Sequence, residues 1–421
     1  MSNEIKLSKG KLTILGLQHA FTMFGATVLV PYLTGVPVNV ALFAAGLATL
    51  IFHFITKFKV PVFLGSSFAY IAPMMSVTLY YINQGPVQYD SIQSALNAGM
   101  DITPMLAYAT GGILIAGFVK IGLGCIIKLV GVEKVIKLFP PVVSGTTILI
   151  IGIILSPVAI GMASSNWFLA LVGLVVAIVI RLYFKGFPKL LPVIFGIIAG
   201  YVVALITGNV DLTLVGDAGW IALPNFYLPK FSVHAVSLIV PVALAAAVES
   251  IADVYAVSAV TNKKFYEDPG IDRTLIGDGI GTFLGGFFGG PANTTYSENT
   301  GVLAITKVYN PVVMRIAAVF AIVLSFIPKI GALVNSIPTS VMGGIEIILF
   351  GMIAAVGLKT LIDNKVKVDG KNLIIIAIML VVSLGGAKIN IGNFELEGIG
   401  LAAITGLILN LIFQFTKASD E

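Results

Sequence analysis

Between two long apolar runs the chain reads GGPANTTYSENTGVLAITK over residues 289–307, which places a carboxylate, Glu298, among hydroxyl, amide and phenol groups. Such groups are costly at membrane depth unless they face protein, water or a ligand. A carboxylate there can accept hydrogen bonds from the N–H groups of a bound molecule, or exchange a proton. A second pair, Glu249 and Asp253, stands four residues apart in SLIVPVALAAAVESIADVYAVS and so on one face of a helix. The two charges are alike and no cation is obvious beside them, an arrangement suited to taking up and releasing a proton. Asp278 in TLIGDGIGTFLGG and Glu346 in MGGIEIILFG also lie in apolar stretches. Each such acid costs ~2.5 to 3.5 kcal/mol at the bilayer centre, so five of them call for a function. The plain alternatives are that Asp278, inside GDG, caps a segment and that Glu346 lies near an interface.

Other chemistries find no residues to carry them. His19, His53 and His234 are scattered without metal-ligand spacing, and Cys125 is the single cysteine. No Ser-His-Asp set and no phosphate-binding glycine loop occurs, so neither an enzyme nor a metal or cofactor protein is expected. His19, in LQHAF, is expected to bond between helices. Phe68, Tyr70 and Tyr296 adjoin the hydroxyl pairs and offer aromatic faces, which suits a flat ring with polar edges.

The elements that must hold these groups follow from composition. The 421 residues are 57% hydrophobic and 11% charged, with mean hydropathy +1.02, values of an all-α polytopic membrane protein. A net charge of +5 would suit nucleic acid, but the basic residues sit in short clusters between apolar segments, so no nucleic-acid partner is expected. Stretches able to cross a bilayer of ~30 Å fall near 12–33, 38–56, 61–82, 103–128, 139–161, 166–184, 189–207, 233–260, 274–290, 291–308, 310–328, 337–362, 372–386 and 396–416. That gives about fourteen segments. Two of them, 61–82 and 291–308, are too rich in Gly, Ser, Thr and Pro for plain lipid-facing helices and are expected to be broken. Alternating the loops from a cytoplasmic N-terminus puts most Lys and Arg inside, among them Lys57, Lys59, Arg181, Lys185, Lys263, Lys264, Lys365 and Lys367. Both termini are then cytoplasmic, and the first apolar run is retained as a helix rather than cleaved as a signal peptide.

The chain also repeats itself. PPVVSG at 140–145 matches the spelling of PTSVMG at 338–343, and GSSFA at 65–69 resembles NTTYS at 293–297. These matches pair the fifth segment with the twelfth and the third with the tenth, as two halves of seven require. Seven is odd, so the halves have opposite topology, a transporter design that holds its substrate where the two broken elements meet.

Glu298-Asn299-Thr300-Gly301, followed by Val302 to Lys307, matches the signature of the nucleobase-ascorbate transporters, also called the nucleobase:cation symporter 2 family. With LQHAFTMFGATVLVP at 17–31 and FLGSSFAYIAP at 63–73, the spelling is similar to the family's bacterial uracil branch over nearly the whole chain. The resemblance implies fourteen transmembrane segments in a 7+7 inverted repeat, with short strands in segments three and ten. It implies a core domain (1–130 and 233–330) and a gate domain (131–232 and 331–421), commonly in a homodimer. It also implies import of uracil across the cytoplasmic (inner) membrane, driven by protons. Carried over by position, the substrate contacts fall on Glu249, Glu298, Phe68, Tyr296 and Ser297, with His19, Ser67 and Asn299 in support and proton coupling on Asp253, Glu298 and Asp278. Asp253 stands where the uracil branch has histidine, Phe350 where it has tyrosine, and Asp278 resembles the acid of the xanthine branch. A purine permease and an anion transporter on the same fold are the rival readings. The Glu at the signature position favours the pyrimidine.

Overall fold

The computed structural model describes residues 8–134, 140–392 and 394–415; the two termini, whose cytoplasmic placement is expected above, lie outside them. The first half runs α1 (Lys9–Thr34), α2 (Val38–Ile55), β1 (Leu64–Ser66), α3 (Ile71–Ile82), α4 (Ile92–Asn97), α5 (Thr103–Val130), α6 (Pro141–Ile154), α7 (Ser156–Ala163), α8 (Trp167–Tyr183), α9 (Pro192–Ile206) and α10 (Thr213–Asp217). The second runs α11 (Val233–Ile239), α12 (Val242–Thr261), α13 (Ile271–Phe287), β2 (Asn293–Thr295), α14 (Ser297–Thr306), α15 (Val312–Ser325), α16 (Pro328–Asn335), α17 (Thr339–Asp363), α18 (Gly370–Leu384), β3 (Lys388–Ile391), β4 (Phe394–Glu397) and α19 (Gly398–Phe415). The fold is helical with two small two-stranded sheets. Among the described residues six helical stretches are long and apolar enough to cross a membrane (α1, α2, α5, α6 with α7, α11 with α12, and α17), and five shorter apolar helices accompany them. α15 and α16 meet at a bend of 84°.

Local chemistry sets the boundaries. Pro140 and Pro338 precede α6 and α17, where the missing N–H costs nothing. The two matched spellings therefore open equivalent helices. Pro241 separates α11 from α12, so the expected stretch 233–260 is made of two helical pieces. Residues 61–82 and 291–308 are broken as their composition requires: each runs through a strand of three residues before turning into a helix.

The helices pack in two groups. α1, α2, α5, α13 and α15 pack on one another, whereas α17 packs on α6, α7 and α8, α8 on α9, and α18 on α6 and α19. The tightest seam lies between α5 and α13. A Cβ on Gly279 would stand 2.7 Å from the Ile121 nitrogen, and one on Gly117 or Gly286 would run into the facing backbone. Small residues bring these two backbones together. The close approach sets Lys120 of α5 directly against Asp278 of α13.

Candidate functional site

β1 and β2 pair antiparallel with Gly65 opposite Thr294, and the pairing continues at both ends through Ser67 N–H to Ala292 O (2.8 Å) and Tyr296 N–H to Phe63 O (2.9 Å). The two interrupted segments thus satisfy each other's backbone where neither is helical. Gly65 is required here, because a Cβ would collide with the Tyr296 ring that lies across it. That ring is buried, and its hydroxyl donates to Ser66 O at 3.0 Å and accepts from Thr27 of α1 at 3.3 Å. Tyr296 therefore braces the sheet from beneath.

Directly after β2 the chain enters α14, with Ser297 and Glu298 in its first turn. The N–H groups of such a turn lack helical partners and favour negative charge. Ser297 and Glu298 are exposed, while Glu249, Asp253 and Phe68 are half-buried and the surrounding Thr295, Tyr296 and Asn299 are buried. Glu249 lies within electrostatic reach of Glu298, and Asp253 of both. The structure thus brings Glu249, Asp253, Glu298, Ser297 and Tyr296 together around β2. The Asp253 carboxylate accepts a hydrogen bond from the Thr295 hydroxyl at 2.6 Å, which ties α12 to the strand. Glu249 has no side-chain hydrogen bond among the described residues, and Glu298 none beyond its own backbone. Their remaining acceptor sites have no protein partner among the described residues.

The supporting residues also have defined places. The Asn299 amide donates to His19 O at 3.1 Å and lies 3.1 Å from His19 Nδ1, so this pair fixes α14 to α1. The Asn299 Oδ1 and the buried Ser67 hydroxyl have no hydrogen-bond partner among the described residues. Glu346 is buried in α17 without a hydrogen bond to either oxygen among those residues, and Phe350 is buried on the same helix.

One group that the sequence reading placed inside a span was given no role there. Lys120 is fully buried and pairs with Asp278 Oδ2 at 2.5 Å. Its ammonium also reaches Thr282 Oγ1 and Asn293 O, each at 3.4 Å. Ser250 donates to Asp278 and shares a hydrogen bond of 3.2 Å with Thr294 of β2. The expectation that no cation accompanies the acids of α12 is therefore corrected, since Lys120 lies within electrostatic reach of Glu249. Asp278 is not a free carboxylate but half of a buried ion pair beneath β2. The signal was present in TGGILIAGFVKIGLG, where a lysine stands inside an apolar span with no loop to explain it.

Residues 10–392 match the Xan_ur_permease model, described as Permease family. The chain belongs to this family, the nucleobase-ascorbate transporters. This permease is 41% identical over 424 residues to the probable uracil permease of Haemophilus influenzae, covering 98% of this chain and 96% of that one. It is 42% identical over 429 residues to the uracil permease of Bacillus caldolyticus (98% and 94% covered) and 38% identical over 413 residues to that of Escherichia coli K12 (95% and 90%). Among solved structures it resembles the transmembrane domain of a cyanobacterium bicarbonate transporter (TM-score 0.63, 16% identity, 96% of this chain and 97% of that one). It also resembles the murine Solute Carrier 26 family member A9 anion transporter in the inward-facing state (TM-score 0.67, 14% identity, 97% and 69%). The permease therefore has the inverted-repeat transporter fold of these neighbours, and it is a multi-pass membrane protein.

Proposed function

We propose that this permease imports uracil across the cytoplasmic membrane in symport with protons, by alternating access. The observation that carries this reading is the pair Glu249 and Glu298, two carboxylates with no side-chain hydrogen bond among the described residues, one on α12 and the other in the first turn of the helix after β2. Uracil presents two N–H donors flanked by two carbonyl acceptors. Two carboxylates accept from the ring while backbone N–H groups of Ser297 and its neighbours donate to its oxygens, and Phe68 covers one face. Tyr296 acts from below by holding the strand. Hydrogen bonds with a charged partner contribute about 1.5 to 3 kcal/mol each. A few of them reach the ~8 kcal/mol of micromolar binding. The names borne by the relatives at 38–42% identity support the substrate.

On this reading the group of α1, α2, α5, α13 and α15 belongs to a substrate-carrying core (1–130 and 233–330), and the group around α17 to a gate (131–232 and 331–421), in a homodimer. Both termini are cytoplasmic. Asp253, hydrogen-bonded to Thr295 and beside Glu249, takes the proton-linked role. Asp278 serves it only indirectly, through its ion pair.

The test is equilibrium binding of labelled uracil to the purified protein. Glu249→Ala and Glu298→Ala should each abolish measurable binding, and Glu298→Gln should lower it less because the amide keeps one acceptor. Full-strength binding by Glu249→Ala would refute the site. Unlabelled xanthine competing as well as unlabelled uracil would favour a purine permease instead.

A further inference from the structure

A cavity of about 280 Å³ lies in the seam between the two helix groups, apart from the carboxylates. Ala72, Pro73 and Ser76 of α3 and Val242 of α12 line one side, and Ser383 of α18 and Gly400 of α19 the other. Its place relative to the site is fixed by helical spacing. Val242 stands seven residues before Glu249 on α12, hence on the same face two turns away, and Ala72 follows Phe68 by four. The cavity therefore stands directly above the substrate groups, on the side of the β3–β4 hairpin.

That hairpin forms part of its wall through Lys388 and Glu397. The strands connect α18 to α19, both in the second group, yet β4 packs on α11, which itself packs on α5 of the first. Glu395 Oε2 lies 3.4 Å from His234 Nδ1, and the His234 ring lies against Tyr80 of α3 at a centroid distance of 4.0 Å. Lys388 joins the cluster, 3.2 Å from Glu395 and 2.5 Å from Glu397, and Lys388 and Glu397 also line the cavity. An isolated exposed ion pair contributes little, but a network with stacking across two bodies marks a contact that must break if they move apart. Inside, Ser383 is buried with a hydroxyl that has no hydrogen-bond partner among the described residues. Below the site the exposure reverses on the Glu249 face of α12: Val242 and Ala246 above it are buried, whereas Ala252 and Ala256 below it are exposed.

We propose that this cavity is the outer vestibule of the substrate path, a passage for a small planar polar molecule such as a nucleobase, and that the β3–β4 hairpin clamped on His234 is its gate, shut in this structure. The proposal rests on the reading of the protein as a uracil importer with cytoplasmic termini.

Two interventions block the path without touching the carboxylates. In a Cys125→Ser background, His234→Cys with Glu395→Cys joined by a short bifunctional thiol cross-linker should stop uracil uptake into proteoliposomes by at least tenfold. Purified cross-linked protein should still bind uracil from the open side, and each single cysteine treated alike should keep its uptake. Ser76→Phe, which fills the vestibule, should likewise lower uptake severalfold with unchanged equilibrium binding. Uptake at the parental rate by both would overturn the proposal. Failure of the unmodified parent to bind uracil would instead refute the substrate reading. The gate would then be read from Val242→Cys, whose labelling by an impermeant thiol reagent from the hairpin side should rise in Glu395→Gln; labelling that is unchanged would overturn the gate on its own.

Discussion

Lys120 shows how one buried side chain changes the meaning of its neighbours. Its ammonium has three donors, and Asp278, Thr282 and Asn293 O supply three acceptors, so the charge is fully matched inside the bundle. Removing one partner of such a pair strands the other charge. Lys120→Met should therefore destabilise the protein by about 3 to 5 kcal/mol, seen as a lower unfolding temperature in detergent, and Lys120→Met with Asp278→Asn should recover most of the loss. Asp253 behaves differently, because Asn at that position still accepts the Thr295 hydrogen bond while holding no exchangeable charge. Asp253→Asn should bind uracil as the parent does, yet fail to accumulate it in proteoliposomes under an imposed pH gradient. Accumulation equal to the parent would move the coupling to another acid. The helical spacing of Glu249 and Asp253 was legible in the sequence because it is local. The pairing of Lys120 with Asp278 was not, because it depends on two helices approaching through glycines that composition alone does not match up.

Among the elements, the broken segments were the most legible and their joining the least. Hydroxyl-rich, proline-bounded stretches at 61–82 and 291–308 announce that no continuous helix is possible there, and the repeat GSSFA against NTTYS announces that they are equivalent. The strands themselves followed only from the family resemblance, since three residues are too few for an alternating pattern to register. The register of Gly65 opposite Thr294 is a long-range contact and appears only in the fold. It makes a sharp prediction. Gly65→Ala sets a methyl group into the Tyr296 ring, so the strand pair must part or the ring must leave its hydrogen bonds to Ser66 and Thr27. Uracil binding should be lost in Gly65→Ala, with a lowered unfolding temperature. Gly65→Ala with Tyr296→Ala should regain part of the temperature, because the collision is gone, without regaining the binding. A double variant no more stable than Gly65→Ala would mean that the ring does not brace the sheet.

For the whole molecule, fold and function part company. The solved neighbours are a bicarbonate transporter and an anion transporter at 14–16% identity, and a shared scaffold does not carry a shared substrate. At the site proposed here, Glu249, Asp253 and Glu298 are acceptors that suit N–H donors rather than an anion. Direction across the membrane is set by charge instead. Lys57 and Lys59 follow α2, Arg181 and Lys185 stand at the end of α8, Lys263 and Lys264 follow α12, and Lys365 and Lys367 follow α17. On the proposed fourteen-segment topology these are the ends of alternate crossings, and the basic excess there assigns that end to the cytoplasm. The β3–β4 hairpin lies beyond the other end, with Lys388 neutralised by Glu395 and Glu397. The arrangement predicts accessibility in intact cells, in a Cys125→Ser background. An impermeant thiol reagent should label Asn209→Cys, in the exposed loop after α9, and leave Lys185→Cys, in the exposed loop after α8, unlabelled until the membrane is opened. Labelling of Lys185→Cys in sealed cells would invert the topology, and with it the face from which the hairpin gate admits substrate.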